Sequence, residues 1–230
     1  MVSSRHWATI NDVRIRIMSE MHVQEPEGAF LVGFVGATRR AGTSTVAVGV
    51  ARAFHEASTV ERSTLLIGLS LQGKPAASIA KATPLSLSGS KAPEDTAKDA
   101  TDKNAKPKKD EKPDPLSGRV QRAKNGFDVI SVENAADLRK LFEDDARFWD
   151  AVADRYEIVC IDAGLAGSEA HVLMAQKLNL SLLVVDGKRI TRRELARLRE
   201  RMEGAHIMPD GVILNRKKDY LPRIFRAAVE

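Results

Sequence analysis

The sequence predicts an α/β fold: a mostly parallel sheet flanked by helices, in a three-layer sandwich. Three observations predict it. Short, nearly continuous apolar runs alternate with segments of helical spacing, the pattern of strands covered on both faces. The first apolar run ends in a glycine-bearing turn that opens directly into a helix. The chain has 230 residues, 43% hydrophobic and 29% charged, which suits one core and one domain carrying an insert.

Each element has its own signal. Phe30–Val35 (FLVGFV) is short, apolar and rich in β-formers, so it reads as a buried strand. Thr43–Glu56 places Val46, Val50 and Phe54 at helical spacing. Thr64–Leu69 (TLLIGL) and Phe127–Val132 (FDVISV) are further strands. Ala136–Arg155 is predicted as one helix with Leu138, Leu141, Phe142, Phe148, Trp149 and Val152 inward. Glu157–Ile161 (EIVCI) is a strand, Ser168–Leu178 a helix, and Ser181–Val185 (SLLVV) a strand. Thr191–Met202 is a helix with Leu195, Leu198 and Met202 inward. Gly211–Leu214 begins a last strand, and Pro222–Val229 reads as a terminal helix. Ligands of parallel sheets bind at the carboxyl ends of strands, so the informative residues should follow each strand.

One segment does not fit this alternation. Lys91–Pro115 holds seven lysines, seven acids, four prolines and no apolar residue larger than alanine. It cannot bury enough surface to offset its ordering entropy. Residues 74–118 therefore read as a disordered low-complexity insert, with 1–73 and 119–230 forming a single domain. No apolar run reaches the roughly 18–20 residues of a membrane span. The N-terminal stretch lacks the apolar core of a secretory signal, and the chain has a single cysteine, Cys160. An intrachain disulfide and a cysteine-based zinc cage are excluded, and a cytoplasmic location is expected. The histidines have no metal-like spacing and are expected in surface or half-buried roles. The net charge is +5. It gathers in Lys188, Arg189, Arg192, Arg193, Arg197, Arg199 and Arg201, and again in Arg216, Lys217, Lys218, Arg223 and Arg226. These are solvated faces, or else docking surfaces for an acidic partner or lipid head groups.

The turn after the first strand reads Gly36-Ala37-Thr38-Arg39-Arg40-Ala41-Gly42-Thr43-Ser44-Thr45. A phosphate-binding loop is G-x-x-x-x-G-K-[ST] between a strand and a helix. Its glycines let backbone N–H groups wrap phosphates, its lysine neutralises them, and its hydroxyl binds magnesium. Gly42 and Ser44 occupy the last-glycine and hydroxyl positions, but Thr43 stands where the lysine belongs. Arg39 and Arg40 could hold phosphate only from their side chains. The alternative is a strand–turn–helix junction with no ligand.

The runs GATRRAGTSTVAVGVARAF, TLLIGLSLQGKP, RYEIVCIDAGLAGSEAHVLM, LSLLVVDGKRITRRELARL and PDGVILNRKK follow one another in the order of a known family. In them the chain resembles the cytoplasmic domain of bacterial tyrosine kinases of capsule and exopolysaccharide synthesis, within the MinD/ParA class of P-loop NTPases. The resemblance implies a P-loop NTPase-like fold. It also implies a nucleotide site at Arg39, Arg40, Gly42, Thr43, Ser44, Thr45 and Asn215, the last matching the family's adenine-contacting asparagine. A magnesium site is implied at Ser44 and Asp162. Asp162 and Asn215 read equally as capping or turn residues.

The departures from the family fall on its chemistry. The two aspartates of its second-strand motif are Gly68 and Ser70 here, and its arginine is Gln72. Its C-terminal tyrosine cluster is missing: the chain has two tyrosines, Tyr156 and Tyr220. Of its N-terminal E-x-x-R-x-x-R frame, Asn11, Arg14 and Ile17 keep one residue, so only a weak case for a homo-oligomer remains. No catalytic residue is assigned. The reading that follows is a catalytically inactive relative with at most weak ATP or ADP binding with magnesium. It would bind the cytoplasmic part of a membrane polysaccharide co-polymerase, peripheral to the inner membrane, and regulate capsule- or holdfast-type export. No specific nucleic acid is expected, since no base-reading motif is present. The alternatives are an active ATPase or tyrosine kinase with atypical phosphate ligands, and a ParA-like positioning protein.

Overall fold

The computed structural model describes residues 4–59, 63–69, 83–84, 114–123, 126–132, 137, 140–144 and 146–216. The terminal helix expected at Pro222–Val229, the cations beyond Arg216, Tyr220, Ser70, Gln72 and most of the expected insert lie outside the described residues.

Eight described strands form one sheet: β1 (Phe30–Gly36), β2 (Thr64–Leu69), β3 (Thr83–Pro84), β4 (Gln121–Arg122), β5 (Asp128–Val132), β6 (Ile158–Leu165), β7 (Leu180–Asp186) and β8 (Gly211–Asn215). Their order is β3-β4-β5-β2-β6-β1-β7-β8. From β5 to β8 all neighbours are parallel, while β3 and β4 add an antiparallel edge. The helices are α1 (Ser4–Gln24), α2 (Thr43–Ala57), α3 (Ala146–Ala153), α4 (Glu169–Ala175) and α5 (Arg192–Gly204).

The two-residue period of strands divides the core between two faces. Phe30, Val32 and Phe34 of β1, Ile158 and Cys160 of β6, and Leu182 and Val184 of β7 pack with Ile10 and Ile17 of α1 and Val46, Val50 and Phe54 of α2. Leu65, Ile67, Val159, Ile161, Leu183 and Val185 point the other way, onto Phe148 and Val152 of α3, Met174 of α4, and Leu198 and Met202 of α5. Helices thus cover both faces, giving the expected three layers.

Three expectations are corrected, and α1 adds a helix that the sequence reading left unassigned. The helix read over Ala136–Arg155 is, in its described part, a π-helical turn at Lys140–Asp144 followed by α3. There the Leu141 carbonyl accepts the Trp149 indole N–H at 2.9 Å. The N-terminal segment forms α1, 21 residues long. Within the span read as insert, Thr83–Pro84 pairs with β4, and Leu116 is fully buried in the core. The chain has therefore rejoined the fold before residue 119. Leu195, expected inward, is 40% exposed, because the buried stripe of α5 is centred on Leu198 and Met202.

Candidate functional site

The β1–α2 loop lies at the carboxyl edge of the sheet. It is tied down by Ala37 N–H donating to Val184 O (2.9 Å) and by Gly36 O accepting from Ala166 N–H (2.9 Å). Gly42 caps α2 with φ 90°, a left-handed conformation that suits glycine. Space demands glycine as well: a Cβ there would lie 2.2 Å from Asn215 Nδ2. Asn215, at the end of β8, donates from that nitrogen to Ala41 O at 2.8 Å. The next residue, Arg216, donates to Arg40 O at 3.2 Å and to the Asp186 carboxylate at 2.9 Å. Arg40 has φ 64°, a conformation that costs a side-chain-bearing residue about 1–2 kcal/mol. The end of β8 therefore clamps the loop by its backbone carbonyls, and Asp186 at the end of β7 holds Arg216 in that grip.

Opposite the clamp, Ser44 in the first turn of α2 donates to Asp162 Oδ2. A β-bulge sets Asp162. Phe34 pairs with Asp162 and Gly36 with Leu165, so β6 carries one more residue than β1 between these pairs. Gly164 takes φ 71°, and its N–H bonds Asp162 Oδ1 at 3.3 Å. Burial pushes the Asp162 carboxyl above its ordinary range, and the bonds from Ser44 and Gly164 pull it part of the way back. Gly68 is in register with Asp162 on one side and Ser131 on the other. A Cβ on Gly68 would meet nothing within 4 Å.

The structure gathers Gly42, Thr43, Ser44, Thr45, Asp162 and Asn215 around the N-terminus of α2. Thr43 is buried, whereas Arg39 and Arg40 are exposed on the loop. A helix N-terminus presents unpaired N–H groups suited to an anion. Ser44 Oγ and the Asp162 carboxylate are hard oxygen donors of the kind magnesium takes. They supply one carboxylate, and among the described residues no group of three or more His, Cys, Asp or Glu could hold a metal. The residues thus fit a phosphate held by backbone and a magnesium ion with few protein ligands.

Sequence reasoning missed the clamp. It counted Arg216 in a basic cluster, whereas here it pairs with buried Asp186. The Lys188 N–H and Arg216 hold the Asp186 carboxyl below its usual range. The available signal was an acid at the carboxyl end of an apolar strand. His171 was also misread: it is fully buried, its Nδ1 accepts the Gly167 N–H at 3.1 Å, and burial lowers its pKa.

No protein-family model matches the chain, and no curated protein matches it. Solved structures do. The kinase domain of Escherichia coli tyrosine kinase ETK superposes with a TM-score of 0.60 at 19% identity, covering 93% of this chain and 79% of that one. The VpsO kinase domain gives 0.55 at 18% identity, covering 90% of this chain and 98% of that one. The BceF tyrosine kinase domain gives 0.58 at 15% identity, covering 89% and 75%. Similarity at these identities is similarity of architecture. The chain therefore has the fold of bacterial tyrosine-kinase domains, a P-loop NTPase-like sheet with helices on both faces.

Proposed function

We propose that this chain is a catalytically inactive protein of tyrosine-kinase fold. In this reading it regulates exopolysaccharide synthesis and export, of capsule or holdfast type, by binding the cytoplasmic part of a membrane polysaccharide co-polymerase. The observation that carries the proposal is the make-up of the site. A buried threonine, Thr43, holds the lysine position, and Gly68 leaves open space beside Asp162 where the family has a carboxylate. Phosphoryl transfer depends on positioned charge, and loss of one such group costs about 10²–10³-fold in rate. Several losses together leave little activity, while both faces of the sheet retain a full core. The polysaccharide setting rests on the sequence resemblance and places the protein at the cytoplasmic face of the inner membrane. Any residual ATP or ADP would sit at the N-terminus of α2, with magnesium at Ser44 and Asp162.

Calorimetric titration with magnesium-ATP tests this. The wild type is expected to bind no tighter than about 1 mM, near −4 kcal/mol. Thr43→Lys with Gly68→Asp should tighten binding, because the first change restores a cation for the phosphates and a Cβ at position 68 meets nothing within 4 Å. Micromolar affinity in the wild type would overturn the proposal.

One observation favours a second reading, an active ATPase or kinase. Arg39 and Arg40 are both exposed on the loop and could reach phosphate from outside it. In that case the wild type binds magnesium-ATP, and Arg39→Ala or Arg40→Ala abolishes the binding.

A further inference from the structure

α5 carries arginines at 192, 193, 197, 199 and 201 and no lysine. With Lys188 and Arg189 just before it, residues 188–204 hold seven cations against three acids, a surplus that accounts for most of the chain's net +5. The structure shows where these charges go. Leu198 and Met202 turn into the core, and all seven cations are exposed. Arg193, Arg197 and Arg201 form a ridge at four-residue spacing, about 6 Å per step along the axis.

Two of the three acids are engaged within the helix. Glu194 closes the capping box with Thr191, its carboxylate accepting the Thr191 N–H at 2.8 Å, and Glu203 takes Arg199 at 2.6 Å. The bonds from Thr191 hold the Glu194 carboxyl below its usual range, and Arg197 adds to this through space. The helix gains little from this arrangement. Arg192 and Arg193 sit in its first turn against the macrodipole, and like charges four residues apart repel. The neighbouring row of the helix carries Ala196, Glu200 and Gly204, one acid beside the three arginines of the ridge.

We propose that this face of α5 binds the phosphate plane of an anionic bilayer. A row of exposed guanidinium groups suits a surface that presents many phosphates, because guanidinium pairs with phosphate through two parallel N–H bonds. The mode is electrostatic and peripheral. No helix among the described residues is long and apolar enough to cross a membrane, and the apolar stripe of α5 is committed to the core. Each arginine at an anionic surface strengthens binding by about fivefold, so the three-arginine ridge supplies about 100-fold. In placing the protein at a membrane the inference rests on the function proposed above. It is measured on lipid alone, without nucleotide or protein partner, so the failure of one is distinguishable from the failure of the other.

The test is sedimentation of the full chain with vesicles of 30 mol% phosphatidylglycerol in phosphatidylcholine, and with phosphatidylcholine alone. Binding is expected to the first and not the second, at 50 mM salt, falling away at 300 mM. Arg193→Glu/Arg197→Glu/Arg201→Glu should lose about 100-fold or more, whereas the matching triple Lys variant should keep most of the binding. Circular dichroism establishes that each variant is folded. A charge-matched control, Arg16→Glu/Arg147→Glu/Lys177→Glu, alters exposed cations elsewhere and should bind like wild type. Equal loss in this control, no binding to the anionic vesicles, or tighter binding to a duplex DNA or polyglutamate probe than to the vesicles would each overturn the proposal.

Discussion

At the residue scale, Gly42 and Asn215 act as one unit. Gly42 supplies the left-handed turn, and Asn215 uses the room that the absent side chain leaves. Asn215→Ala removes one hydrogen bond to Ala41 O and should cost about 1 kcal/mol. Gly42→Ala adds left-handed strain of about 1–2 kcal/mol and a collision with Asn215 Nδ2. In the double variant the collision is gone, so the two costs should sum to less than their separate values by about 0.5 kcal/mol or more. Urea unfolding of the four proteins measures this, and strict additivity would show that the two residues are not coupled. Asn215 was legible in the sequence as a site residue, read either as an adenine contact or as a capping or turn residue. In the structure its amide braces the loop through Ala41 O. A side chain's partner depends on which strand ends meet, and β8 reaches the loop only through a register set far away in sequence.

At the element scale, the apolar strands were readable because each is a short buried run, and the observed bounds differ from the expected ones by a few residues at most. Three features were not readable, each for a physical reason. The apolar positions of α1, Ile10, Val13, Ile17 and Met21, have helical spacing but are diluted by charged neighbours. β4 is two residues long, too short to show a period. The bulge in β6 depends on its pairing with β1, which no local pattern encodes. The antiparallel edge is held by a polar latch. Buried Asp128 at the start of β5 accepts Arg122 Nε of β4 at 2.7 Å and the Tyr156 hydroxyl at 2.9 Å. Tyr156→Phe leaves that carboxylate short of a donor and should cost about 1.5–3 kcal/mol. Denaturant midpoints of wild type and variant decide it. A change below about 0.5 kcal/mol would mean that Tyr156 serves the core through its ring alone.

At the scale of the whole molecule, the sheet is the common support for two separate surfaces. The loop and Asp162 lie at the carboxyl ends of the strands, and the arginines of α5 lie on a flank of the same body. Fold class and layer order were legible because they follow from composition and periodicity. The division of labour between edge and flank was not, since it depends on three-dimensional placement. Cys160 occupies the middle of this support, on β6 between Val32 of β1 and Leu66 of β2. It is fully buried, and burial raises its thiol pKa far above the ordinary value. A thiol attacks a disulfide reagent as its thiolate, so Cys160 can react only when the central strands part. The chain's single sulfhydryl is therefore an internal clock for global unfolding. Labelling with an aromatic disulfide reagent should proceed at the rate of whole-domain opening, and it should slow in parallel with any ligand that stabilises the fold.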